Sequence, residues 1–187
     1  MTTSNSVSSL YQNLLGSAWG ELPGSVRSAH LAGVERRGYF RVTHRAGRIA
    51  GHLIRWSKLP AANNQAQVVL RIHEEDAGQV WERRFGSDTF STFQWADAGC
   101  LVEYFQCWEL SFELQVMGRA LLYKQCGARF CFGPIRVRVP SAFAPHVSAI
   151  ERDQDLNRVD VRVAVKLPLI GTLITYEGHL EVEDPQS

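Results

Sequence analysis

The side chains equipped for chemistry are thinly spread, and the first of them is His30. An imidazole there could act as a general base or hydrogen-bond partner at the mouth of a cavity. It also ends a helical segment, where the helix dipole favours a histidine for structural reasons alone. Trp81, Arg83, Arg84 and Phe85 form a dense stretch further on. In an extended chain Trp81, Arg83 and Phe85 share one face while Arg84 points the other way. An inward arginine among aromatic rings can clamp a carboxylate or phosphate with its planar fork; an outward one would stack on a ring. Glu103 with Tyr104, Glu151 with Arg152, and Tyr176 with Glu177 complete the polar set. Alternation places Glu103 on the face of Leu101 and Phe105, and Tyr176 on the face of Ile174, Leu180 and Val182. An inward carboxylate must be paired or meet a wet cavity, and an inward phenol needs a partner. Glu103 with whichever of Arg83 and Arg84 is internal is therefore the sharpest constellation, read as a ligand contact or as a structural ion pair. The candidate ligand contacts are Glu103, Tyr176, Arg83, Arg84, His30 and Trp81, with no residue assigned to catalysis.

Several chemistries have no foothold. The three lysines, Lys58, Lys124 and Lys166, stand against seventeen arginines, and only Lys124 is conceivable as a Schiff-base nucleophile. The chain contains no Gly-x-Ser-x-Gly elbow, His-Glu-x-x-His pair or phosphate-binding loop. Cys100, Cys107, Cys126 and Cys131 lack the paired spacing of a zinc ribbon, so they read as reduced thiols packed as small hydrophobes, with no metal and no cofactor. Formal charge is +1, from 20 basic and 19 acidic side chains, which sets up no global field toward nucleic acid or anionic lipid. No apolar run approaches the roughly 18 residues of a membrane span. Met1–Ser8 is polar and lacks the basic and apolar regions of a secretory signal; it reads as a disordered tail on a cytoplasmic protein.

The elements that must position these side chains follow from periodicity. At 187 residues, with 45% hydrophobic and 21% charged side chains, the chain suits one globular domain from residue 9 onward. Leu10, Leu14 and Leu15 recur at helical spacing behind Ser8 and Ser9, which are suitable caps. Pro23 can open a second helix that runs to about Leu31, where Gly33 stops it. Ile49, Leu53 and Trp56 define a third helix over 48–58, packed on a sheet or serving as a lid or partner surface. Beyond about Val68 the period becomes two. Val159, Val161, Val163 and Val165 alternate with wetter residues, as do Leu110, Phe112, Leu114 and Val116. Further strands are expected near 37–44, 67–75, 79–86, 89–97, 100–107, 119–126, 134–139, 147–155 and 172–183. Turn signals at Asp76-Ala77-Gly78, Asp97-Ala98-Gly99 and Met117-Gly118 are too short for parallel crossovers, so the neighbours are antiparallel. About ten such strands cannot lie flat. The fold expected is α+β, mainly antiparallel β, as a strongly curved sheet or barrel with a few N-terminal helices.

The order of motifs resembles a bacterial family known as domain of unknown function 4166. The similarity lies in "LYQNLLGSAWGELPGSVRSAH", "GRIAGHLIRWSKLP", "VWERRFGSDTFST", "LVEYFQCWELSFELQV" and "VAVKLPLIGTLITYEGHLEV". The segment "CGARFCFGPIRVRVP" is richer in cysteine and aromatic residues than the family pattern. The resemblance implies no established activity. It does imply stand-alone proteins, or C-terminal appendages to dinucleotide-binding reductase-type domains, and hence a possible reductase-type partner. This chain itself has no Gly-x-Gly-x-x-Gly turn opening a helix. The functional expectation is a non-catalytic binding module for a small apolar or amphipathic molecule in a barrel-like cavity. Two alternatives stand beside it: an enzyme on a small hydrophobic substrate using a Glu, His or Tyr acid-base group, and a protein-interaction module.

Overall fold

The computed structural model describes residues 9–45, 47–155 and 157–182. The expectation of a tail over Met1–Ser8 lies outside these residues, as does the side chain of Ile49. Among the described residues, three helices occur where the apolar spacing placed them: α1 (Leu10–Leu15), α2 (Gly24–Ala29) and α3 (Arg48–Trp56). The Ser9 hydroxyl accepts the amide of Gln12 and so starts α1, which a 3-10 turn over Gly16–Glu21 then extends. Pro23 is the residue before α2, with the fixed φ that a helix start accepts.

The remainder is β1 (Glu35–His44), β2 (Asn63–Glu75), β3 (Gly78–Phe85), β4 (Asp88–Asp97), β5 (Cys100–Phe105), β6 (Trp108–Met117), β7 (Ala120–Phe132), β8 (Ile135–Arg138), β9 (His146–Asp155), β10 (Arg158–Leu167) and β11 (Gly171–Glu181). All pairings are antiparallel, and ten strands close into a barrel: β1 through β7 in sequence, then β9, β10 and β11, with β11 returning to β1. β8 lies outside this ring and, among the described residues, pairs only with the far end of β7. The strand expected over 119–126 therefore runs six residues further. Its register shifts between Ser111 and Phe112 of β6, which face Gly127 and Gln125, so Cys126 is the extra residue of a bulge.

Chain direction assigns the helices to opposite ends. α2 precedes the start of β1 and α3 follows its end, so α1 and α2 close one end and α3 lies over the other. At the closed end Tyr11, Val26 and His30 are fully buried. Arg36, on the inner face of β1, donates to the carbonyls of Ser28, Val34 and Leu31 and so ties the end of α2 to the barrel. Burial lowers its guanidinium to about 10. Ser25 of α2 donates to Asp153 of β9, which also receives Arg119. At the other end Leu53, on α3, packs beside Leu59, Leu167 and Leu173, while Trp56 is mostly exposed. The third helix is thus part packed face and part open surface.

The inner faces are those read from alternation, including Val159 of β10 and Leu110 and Phe112 of β6. One outer position departs from a wet face. Glu109 is buried because Arg136 and Arg129 of the β7–β8 hairpin fold over it.

The β1–β11 seam permits no side chain at two positions. A Cβ on Gly38 would collide with the His179 carbonyl oxygen, and one on Gly178 with the Tyr39 carbonyl oxygen and the Cα of Phe40, 2.7 Å away. Gly178→Ala is therefore expected to lower stability by about 3 kcal/mol, the upper part of the usual overpacking range, because backbone rather than a movable side chain is in the way. Chemical denaturation of the variant against the parent protein measures this; an unchanged midpoint would show that the seam is looser than this geometry.

Candidate functional site

Inside the barrel is a space of about 330 Å³, bounded on most strands by apolar side chains such as Phe40, Phe90, Phe105, Val163 and Leu180. Leu53 and Trp56 of α3 stand at one end of it, together with Trp108 and Phe130. Its polar groups come from two sides of the ring. Trp81 and Arg83 of β3, Thr92 and Gln94 of β4, and Glu103 of β5 sit on one side, with Glu151 of β9 and Tyr176 of β11 on another.

Arg83 is the internal arginine. Its guanidinium carbon lies 5.0 Å from the Trp81 ring centre and 5.5 Å from that of Phe90. One nitrogen donates to Thr92 Oγ1 at 2.9 Å, and the other stands 3.5 Å from Glu103 Oε1. Strand alternation makes the reach possible, since Arg83 and Glu103 flank β4 from either side with inward side chains. Arg84 is exposed on the outer face, pairs across the strands with Val69 and Thr89, and has no place at the internal space. The candidacy of Arg84 is corrected by the same two-residue period that raised it.

Glu103 Oε1 also accepts Gln94 Nε2 at 3.2 Å, which begins a polar row into the closed end. Tyr11 donates to Gln94 Oε1 at 2.9 Å, and Tyr123 donates to Glu151 Oε1 at 2.9 Å. The Tyr11 oxygen, 3.3 Å from the Tyr123 hydroxyl, is a second acceptor for the Tyr123 proton beside Glu151. His30 Nδ1 faces the Val26 carbonyl at 2.8 Å, and Nε2 faces Tyr123 Oη at 3.0 Å. Glu151 Oε2 lies 3.1 Å from Nε2 but off the hydrogen-bond direction, so that contact is electrostatic. His30 is thus wholly buried behind Tyr11 and Tyr123 and does not border the space. This corrects its reading as a group at the cavity mouth; its place at the end of α2 follows the plainer helical logic.

Charge states follow from this packing. Burial by itself would raise the Glu151 carboxyl, but the charge and contact of His30 and the Tyr123 hydrogen bond outweigh it and hold the carboxyl below its ordinary 4.5. Burial pushes the Tyr11 and Tyr123 phenols well above their usual value, with the Glu151 charge adding to it. Tyr176 is raised to about 12, again chiefly by burial. Its ring rests 5.6 Å from Phe85 and 6.4 Å from Phe40, and its hydroxyl has no hydrogen-bond partner among the described residues.

Residue types at alternating positions pointed to Trp81, Arg83, Glu103 and Tyr176, and the structure brings these four around one space. Tyr11, Gln94 and Tyr123 were missed; Glu151 was noted but not selected. A buried amide or phenol has no local signal in sequence, because its role comes from a partner up to 112 residues away. Lys124 is exposed and 3.7 Å from Glu113, far from the desolvation a Schiff base needs. The four cysteines are free thiols, with Cys100 and Cys126 Sγ atoms 3.6 Å apart on the barrel exterior. Among the described residues no three His, Cys, Asp or Glu side chains gather to hold a metal ion, and no helix is long and apolar enough to cross a membrane.

Together these features define a closed, antiparallel up-and-down barrel with an internal space and a short polar patch. The chain belongs to the family described as domain of unknown function DUF4166, whose pattern it matches over residues 22–180. No curated protein matches it. Its fold is similar to the crystal structure of a protein of unknown function of the DUF3598 family from Nostoc punctiforme, at 11% identity and a TM-score of 0.50. That likeness covers 83% of this chain and 49% of the other, so this chain spans about half of its length.

Two measurements test the electrostatics. A depressed Glu151 pKa adds stability above its ordinary value that is lost as pH falls through the folded one. Glu151→Gln, which leaves His30 unpaired, is expected to cost about 3 kcal/mol near neutral pH. That deficit should shrink as pH falls below 4.5; a deficit independent of pH would contradict the pairing with His30. For the phenols the sign reverses: a raised pKa removes stability as pH rises past the ordinary 10.0. Three of the five tyrosines should therefore ionise only as the protein unfolds in alkali, seen as a late step in ultraviolet absorbance.

Proposed function

We propose that this protein is a binding module that holds a small apolar or amphipathic molecule inside its barrel without altering it. The observation that carries this reading is the internal space of about 330 Å³, a volume within the range of small-molecule sites, with one polar patch in an otherwise apolar wall. Arg83, Glu103, Tyr176 and Trp81 are its proposed contacts, and residues 9–187 act as one domain built around it. Trp56 at the open end fits an entrance that α3 can cover. The enzyme alternative calls for a cavity carboxyl pushed upward to carry a proton near neutral pH. Glu151 is instead held low, and His30 is sealed away from the space.

Native mass spectrometry of protein purified without detergent is the direct test, with a retained small molecule expected. Titration with the neutral apolar dye N-phenyl-1-naphthylamine should saturate at one molecule per chain and fall when Phe90 is replaced by an arginine that fills the space. Absence of both a retained mass and saturable dye binding would remove the proposal.

A further inference from the structure

Resting on that reading of the barrel as a binding site, we propose that its ligand carries a neutral hydroxyl at its polar end, and that the site rejects the corresponding carboxylate. Arg83, the one cation that borders the space among the described residues, already stands beside Glu103 and donates to Thr92. The His30 imidazole is engaged by Val26, Tyr123 and Glu151 behind the wall and does not reach the space. Among the described residues two carboxylates border the space, Glu103 and Glu151, so it needs no further anion to offset Arg83. An entering carboxylate would be a third anion in a low-dielectric site, and it would compete with Glu103 for Arg83.

The positions left open suit a group that both donates and accepts. Both contacts of Glu103 are made by Oε1, which leaves Oε2 as an acceptor without a partner among the described residues. Tyr176 offers a hydroxyl with no partner there, held neutral by burial, and so able to give or take a proton in a hydrogen bond. An alcohol completes both: its O–H donates to Glu103 Oε2 and its oxygen accepts from Tyr176. An ammonium could donate to Glu103 but would face the Arg83 guanidinium beside it and leave the Tyr176 proton unsatisfied. The aliphatic body would then extend along Phe85 and Phe90 toward the α3 end.

The test is competition against N-phenyl-1-naphthylamine by four decyl compounds at about pH 8: decane, 1-decanol, decanoate and decylammonium. The alcohol is expected to bind at least about tenfold tighter than either ion, a difference of about 1.4 kcal/mol. Glu103→Gln removes one anion and frees Arg83, so decanoate should gain about tenfold and the preference collapse or invert. Tyr176→Phe should weaken 1-decanol several-fold while leaving decane unchanged, which keeps the test decisive if Glu103→Gln does not fold. Decanoate or decylammonium binding as tightly as 1-decanol would overturn the proposal while leaving the barrel a binding site, as would a preference unchanged in both variants. If neither the dye nor any decyl compound binds, the cavity reading fails and the headgroup assignment falls with it.

Discussion

The backbone contact between β1 and β11 is the constraint on which the rest of the structure depends. A ten-strand meander left open would present two rows of unpaired amide and carbonyl groups, an exposed edge that proteins avoid or cover. Closure pairs those rows, but it requires strands that are distant in sequence to meet at one spacing. Gly38 and Gly178 are where the two backbones approach too closely for any side chain. Once the ring is closed, the inner side chains must fill it from all ten strands. They do not do so completely, and the internal space is the remainder.

Closure also dictates how polar groups inside the ring are handled. With water largely excluded, each inward charge needs an opposite charge and each inward donor an acceptor. The row from Glu103 through Gln94 and Tyr11, and the neighbouring set of Tyr123, Glu151 and His30, meet this requirement using six strands or helices. It is assembled against the plug formed by α1 and α2, so the N-terminal helices supply partners for the barrel as well as a cover. That dependence explains why Tyr11 and His30, on short helices with little stability of their own, are among the most buried side chains in the protein.

The division of the interior follows the same logic. The polar row occupies the plugged end, where helices can supply carbonyls and phenols as partners. Toward α3 such partners are scarce, and the wall is aromatic and aliphatic. An amphipathic interior therefore arises from the position of the plug, before any ligand is considered.

Local pattern was enough for the strands, the short turns and the faces. The two-residue period is a property of the extended backbone, so Arg83 and Arg84 on opposite faces, and Glu103 and Tyr176 inward, followed from neighbours alone, while the structure decided that Arg83 is the internal one. Serine and proline before the first two helices carried their starts for a similarly local reason. The excess length of β7, the burial of Glu109 and the β8 hairpin outside the ring were not legible, because each depends on what lies across a strand rather than along it. Family membership could be read from the order of motifs, since linear order survives in the chain whatever its fold. The loss of His30 from the site, and the roles of Tyr11, Tyr123 and Glu151, were decided only when closure brought separate strands and helices within hydrogen-bond distance. Periodicity states which way a side chain points; a closed tertiary structure alone states what it meets there.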